Sequence, residues 1–176
     1  IARAIKVFKP LPHRLEPVGE YHGIRFYNDS LATIPEATIA ALDALGKDVE
    51  TIFLGGFDRG LSFKNLGARI MKSQIQTLIL WPTTGQKIWH AIGRANPGRA
   101  HFFNHFFVDS MEEGVKLAFQ QTAKGKICLL SCASPSFGLF RDYQERGDLF
   151  KKYVRQLGKR NSGRDARYIA IRYENH

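Results

Sequence analysis

The sequence predicts an α/β fold, a Rossmann-like three-layer sandwich whose sheet is mostly parallel, with an antiparallel hairpin at its N-terminal side. Three observations carry this expectation. Short apolar runs of strand length alternate with helical patterns of roughly 10 to 20 residues, the rhythm of βαβ units. The runs Val49–Leu54, Thr77–Trp81 and Ile127–Leu130 are apolar nearly throughout, as strands covered on both faces are. The two runs within Leu15–Asn28 are separated only by a tip at His22-Gly23, too short for a crossover, so that pair is antiparallel.

Each element has a local reason. In the hairpin, Tyr21 precedes the tip and Ile24 and Phe26 follow it. Pro35–Leu45 places Ala37, Ala40, Ala41 and Ala44 on one helical face, with Pro35 and Glu36 in the first turn and Gly46 as the stop. Val49–Leu54 is a strand ended by Gly55-Gly56, Phe63–Ser73 is helical in pattern, Thr77–Trp81 is a strand, and Gln86–Ala95 is a helix. The aromatic run His101–Val108 has strand character, and Ser110 followed by Glu113 is a capping box that opens a helix to about Thr122. Ile127–Leu130 is the last strand, and a long helix is expected over Phe137–Leu157. These elements place one domain over residues 1–158, with a basic tail over 159–176.

Composition limits the function classes. The 176 residues suit one domain with an ordinary core, and no apolar stretch approaches a membrane span or the core of a signal peptide, so a soluble, cytoplasmic monomer is expected. The only cysteines, Cys128 and Cys132, have no partner spacing with the six histidines, and no metal site is expected. The 26 Lys and Arg outweigh 16 Asp and Glu, which favours an anionic partner: nucleotide, phosphate, dicarboxylate or nucleic acid. No single-strand-binding signature accompanies the charge and the aromatics fall at core periods, so the nucleic-acid reading ranks below the others and nucleic acid is not expected as a partner.

In open α/β sheets, ligands bind outside the carboxyl ends of the strands. The segments there are Asn28-Asp29-Ser30-Leu31-Ala32-Thr33, Gly55-Gly56-Phe57-Asp58-Arg59-Gly60, Pro82-Thr83-Thr84-Gly85 and Ser131-Cys132-Ala133-Ser134-Pro135-Ser136. Hydroxyls, glycines and an arginine ahead of helices are the chemistry that holds a carboxylate or phosphate. A plainer reading stands beside this one. Asp29, Ser30 and Thr33 are preferred helix caps, Gly55-Gly56 makes a tight turn, and Arg59 has Asp58 as a neighbouring surface partner. The chain lacks the G-x-x-x-x-G-K-[ST] phosphate loop, the G-x-G-x-x-G fingerprint and the G-x-S-x-G elbow.

The ordered set LPHRLEPVGEYHGIRFYNDSLAT, LGGFDRG and LLSCASPSFGLFRDYQERGDLF, running from about Phe8 to Leu157, resembles the C-terminal domain of Mur ligases of the MurD type. The resemblance implies an ATP-dependent ligase adding glutamate, D-glutamate first, to UDP-N-acetylmuramoyl-L-alanine in peptidoglycan precursor synthesis. ATP and Mg²⁺ would be held mainly by a central domain carrying the phosphate loop, and the isolated domain would be inactive. In the family the carboxyl is activated as an acyl phosphate, which the glutamate amine attacks. By the same resemblance Arg14 reaches the ATP phosphates, with Asp29 and Ser30 on the ATP side of the cleft. Thr33, Arg59, Ser136 and Tyr143 match positions that hold the amino-acid carboxylates. Leu31 and Arg59 stand where D-glutamate-adding members commonly carry Lys, a pattern closer to a divergent GFDRG group, and this leaves an L-glutamate-adding ligase as the alternative.

Overall fold

The computed structural model describes residues 11–159. Residues 1–10 of the expected domain and the expected basic tail from residue 160 onward lie outside them. A six-stranded sheet has the order β1-β2-β6-β3-β4-β5. Its strands are β1 (Glu16–Tyr21), β2 (Ile24–Asn28), β3 (Val49–Gly55), β4 (Thr77–Trp81), β5 (Asn104–Phe107) and β6 (Ile127–Leu130). Among the described residues only β1 and β2 run antiparallel, and their turn puts His22 at φ 54° and Gly23 at φ 81°, the doubly left-handed geometry that follows strand twist. β2–β6, β6–β3, β3–β4 and β4–β5 are parallel.

The connecting helices are α1 (Pro35–Leu45), α2 (Lys64–Met71), α3 (Gly85–Ala95), the short α4 (Pro97–Ala100), α5 (Met111–Gln121) and α6 (Tyr143–Gly158). Strand periodicity sorts the core into two layers. Ile52, Leu54, Leu78, Leu80, Ile127 and Leu129 face one side with Leu42, Leu66, Ile70, Ile88 and Ile92. Phe53, Ile79, Trp81, Cys128 and Leu130 face the other, with Met111, Val115, Ala118, Phe150 and Val154. Both cysteines are buried free thiols, and burial raises the Cys132 thiol to about 11. Among the described residues no helix is long and apolar enough to cross a membrane.

Several sequence expectations need correction. The last helix starts at Tyr143 and not at Phe137: Gly138 adopts φ 96°, and Asp142 caps the helix by accepting from the Glu145 amide at 2.7 Å. The aromatic run yields only the four-residue strand β5, because Asn96 and Pro97 start α4 just before it. The helix expected over Phe63–Ser73 is trimmed at both ends, where Ser73 Oγ instead donates to the Ile70 carbonyl at 2.6 Å. The Ser110 cap forms as expected, its hydroxyl accepting from the Glu113 amide.

Candidate functional site

β6 sits between β2 and β3, so the carboxyl ends of these three strands, with β4 beside them, deliver their loops to one edge of the sheet. The β2 loop does not serve as a helix cap. The residue preceding α1 is Ile34, which makes no side-chain cap bond. Asp29 and Ser30 are buried and are committed elsewhere.

Asp29 accepts from the Leu15 amide at 3.2 Å and from Ser131 Oγ at 2.8 Å. Burial raises its carboxyl above the usual range, while the Ser131 hydroxyl, the Leu15 amide and the charge of Arg14 oppose that rise. Arg14 itself is exposed, on a turn whose flanks are fixed. His13 and Leu15 hold left-handed φ values of 62° and 44°, the His13 carbonyl accepts from the Leu31 amide, and the His13 amide donates to Glu16 at 2.9 Å. The Asn28 amide bridges the His13 ring and Glu16, both at 3.0 Å, and Lys151 closes on Glu16 at 3.2 Å. A charged side chain is thus displayed on a rigid, internally satisfied base. Arg14, Asp29 and Leu31 line one small cavity of about 120 Å³, which brings together two of the three residues expected on the ATP side; Ser30 does not line it.

Arg146 supplies the strongest link between loops, and sequence reasoning missed it. The guanidinium is fully buried on α6, with burial lowering its pKa from the usual value. It donates to Ser30 Oγ at 2.9 Å, the Ser30 carbonyl at 2.8 Å and the Ser134 carbonyl at 3.0 Å. Ser30 Oγ donates in turn to the Tyr143 carbonyl at 2.8 Å. The β2 and β6 loops and the start of α6 are therefore one hydrogen-bonded unit. The half-buried Tyr143 ring meets the His13 ring edge-on at 5.9 Å. The signal for Arg146 was weak, since an arginine on an amphipathic helix normally reads as solvated.

Gly56 ties the remaining loops. Its carbonyl accepts from the Thr83 and Thr84 amides at 2.8 and 3.0 Å, and the Phe57 amide donates to Pro135 at 2.8 Å. Thr84 Oγ1 lies 2.8 Å from Ser134 Oγ. A Cβ at Gly56 would stand 2.1 Å from the Pro135 carbonyl oxygen, at φ 143°, so only glycine fits.

Arg59 does not pair with Asp58, contrary to the plainer reading. Asp58 pairs with Lys87 and accepts from the Gly60 amide at 2.8 Å, which holds its carboxyl below the usual range. Arg59 remains exposed with its guanidinium carbon 5.9 Å from the Phe137 ring centre, and Phe137 meets Phe57 edge-on. Ser136, next to Phe137, is buried. Thr33 is half-buried and shares no described contact with the other expected residues. The arrangement thus provides two exposed cations, Arg14 and Arg59, on stitched loops lined with hydroxyls and backbone amides, which suits anionic ligands.

Comparison with known proteins agrees with this reading of the fold. Residues 13–134 match the family described as Mur ligase, glutamate ligase domain. The chain is 38% identical over 158 residues to the UDP-N-acetylmuramoylalanine–D-glutamate ligase of Caldanaerobacter subterraneus subsp. tengcongensis, covering 89% of this chain and 34% of that protein. It is 35% identical over 157 residues to the ligase of the same name from Caldicellulosiruptor saccharolyticus, covering 89% and 33%. The chain therefore spans about a third of the length of these curated relatives. Among solved structures, a murein peptide ligase from Psychrobacter arcticus superposes with a TM-score of 0.56 at 13% identity, over 89% of this chain and 32% of that one. A single domain of a UDP-N-acetylmuramate:L-alanyl-γ-D-glutamyl-diaminopimelate ligase from Haemophilus ducreyi gives 0.54 at 17% identity, over 82% of this chain and 99% of that one. A family match over most of the chain and relatives 35–38% identical over 89% of it lead to one conclusion: this chain belongs to the Mur ligase glutamate ligase domain family.

Proposed function

We propose that this chain is the amino-acid-binding domain of a longer ATP-dependent ligase that adds D-glutamate to UDP-N-acetylmuramoyl-L-alanine. The observation that carries the reading is the stitched set of strand-end loops, which displays Arg14 beside Asp29 at one place and Arg59 over the Phe137 ring at another. The names of the relatives, all D-glutamate ligases, support the choice of amino acid and acceptor.

In this reading Arg14 faces the phosphates of ATP, where a positive charge stabilises the charge that develops on phosphoryl transfer. Asp29 and Ser30 keep their places within the loop and shape the ATP side, while Thr33, Arg59, Ser136 and Tyr143 receive the carboxylates of glutamate. Arg59 has the planar fork for bidentate binding, and its position over Phe137 limits the directions it samples. ATP supplies the activation of the acceptor carboxyl. Among the described residues no cluster of His, Cys, Asp or Glu is arranged to hold a metal ion, so no step through Mg²⁺ is assigned to this chain. Leu31 removes the cation that D-glutamate-adding members commonly carry there, and this specific departure keeps L-glutamate as the second reading.

Assaying the full-length ligase that carries this chain with D- and L-glutamate side by side tests the assignment. Selective ATP-dependent addition of the D-isomer supports it, and selective addition of the L-isomer replaces it with the second reading. Addition of neither overturns the ligase reading.

A further inference from the structure

A cavity of about 810 Å³ lies between α2 and α3 and is lined by neither Arg14 nor Arg59. Its size falls in the range of small-molecule sites. The helices approach closely at Gly67, where a Cβ would stand 2.6 Å from the Ala91 carbonyl oxygen. Small residues such as Ala68 and Ala95 then leave the groove open beside that contact.

Charge distinguishes this groove from a simple gap between helices. Lys87, His90 and Arg94 recur at helical spacing along one face of α3, and Lys64 of α2 lines the same cavity. No Asp or Glu lines it. Lys87 pairs with Asp58, but Lys64, His90 and Arg94 form no ion pair among the described residues. Positive charge in a concave site without local compensation concentrates anions there. From Lys87 to Arg94 the helix rises by about 10 Å, so one phosphate does not span the charged stripe whereas a chain of phosphates does.

We propose that the α2–α3 groove binds a small molecule carrying a di- or triphosphate chain, at a site separate from the strand-end loops. Lys64 and Arg94 grip the chain from opposite walls, with Lys87 at the end nearest the β3 loop. The bound molecule is either an inorganic polyphosphate or the phosphate chain of a nucleotide. The site does not depend on the glutamate reading, because none of Arg14, Thr33, Arg59, Ser136 or Tyr143 lines it.

The test is a titration of the isotopically labelled 176-residue chain with inorganic tripolyphosphate and, separately, with ATP, at fixed ionic strength and followed by amide chemical shifts. The expected result is saturable movement of the amides of Ser62–Lys64 and Gln86–Arg94. Substituting Lys64→Ala together with Arg94→Ala should weaken saturation by about tenfold or more, with the melting temperature unchanged because both side chains are exposed. Tighter saturation by ATP assigns the site to nucleotides, and equal or tighter saturation by tripolyphosphate assigns it to the inorganic chain. Unsaturable shifts, saturation that the double substitution leaves intact, or tighter binding of an acidic peptide to the same amides would overturn the proposal.

Discussion

Replacing Arg146 by methionine removes the guanidinium that joins the β2 and β6 loops while keeping a long apolar side chain in the same space. Its three hydrogen bonds, at 2.8 to 3.0 Å, all come from a fully buried cation, and no carboxylate pairs with it among the described residues. Bonds to a charged group contribute about 1.5 to 3 kcal/mol each, and part of that sum offsets the desolvation of the guanidinium itself. The loss also leaves the buried Ser30 and Ser134 carbonyls without this donor, at about 1 to 3 kcal/mol each, so the net effect is about 2 to 5 kcal/mol. For a chain of this size that corresponds to a fall in Tm of roughly 10 °C. Urea unfolding should show a lower midpoint with an unchanged slope. Arg146→Lys should recover less than half, since one ammonium cannot reach both carbonyls and the Ser30 hydroxyl in the same geometry. A loss below about 1 kcal/mol for Arg146→Met would refute the reasoning, because it would mean that the loops hold together without the arginine.

Other outcomes follow from the same geometry. Arg14→Ala in the full-length ligase should lower kcat by about 100-fold or more with little change in the KM for glutamate, since its charge acts on phosphate and not on the amino acid; steady-state kinetics with both substrates varied separates the two effects. Phe137→Leu should raise the KM for glutamate by about 2- to 5-fold, the worth of one exposed cation–π contact, and the effect should vanish in an Arg59→Ala background. Burial, then the charge of Lys151, lowers the His13 pKa below its usual 6.5. The unfolded chain therefore binds the His13 proton first, so stability should fall as pH drops below 6.5 toward the lowered value, and His13→Gln should flatten that stretch of the pH–stability curve measured by urea unfolding.

The parts of this molecule legible in its sequence are those where one local rule decides. Pro35 and Gly46 bound α1 because fixed φ and a left-handed stop act on their own residues. The apolar runs of β3, β4 and β6 follow from burial on both faces, and the His22-Gly23 tip follows from turn geometry. What was not legible depends on distant partners. Phe137 and Phe140 continue a helical apolar period, yet the segment leaves the helix because Gly138 turns it and Asp142 starts the helix afresh. Asp29, Ser30 and Thr33 look like caps, but Asp29 answers to Leu15 and Ser131, and Ser30 to Arg146, more than a hundred positions away. Arg59 stands beside Asp58 in sequence, while in space Asp58 turns to Lys87 and leaves Arg59 to Phe137. The groove between α2 and α3 was equally hidden, since the stripe of Lys87, His90 and Arg94 is simply a polar helix face until Lys64 is placed opposite it.

Arg59 tests the central claim most directly, because it is the exposed cation that the account places against the glutamate carboxylate. The measurement is the KM for glutamate of the full-length ligase with Arg59→Ala, alongside the melting temperature of the same variant. Removing one partner of a desolvated charge pair costs about 2 to 5 kcal/mol, so KM should rise about 30-fold or more, at an unchanged melting temperature. Unaltered glutamate kinetics in a well-folded Arg59→Ala enzyme would contradict the account and place the amino-acid carboxylates elsewhere along the strand ends.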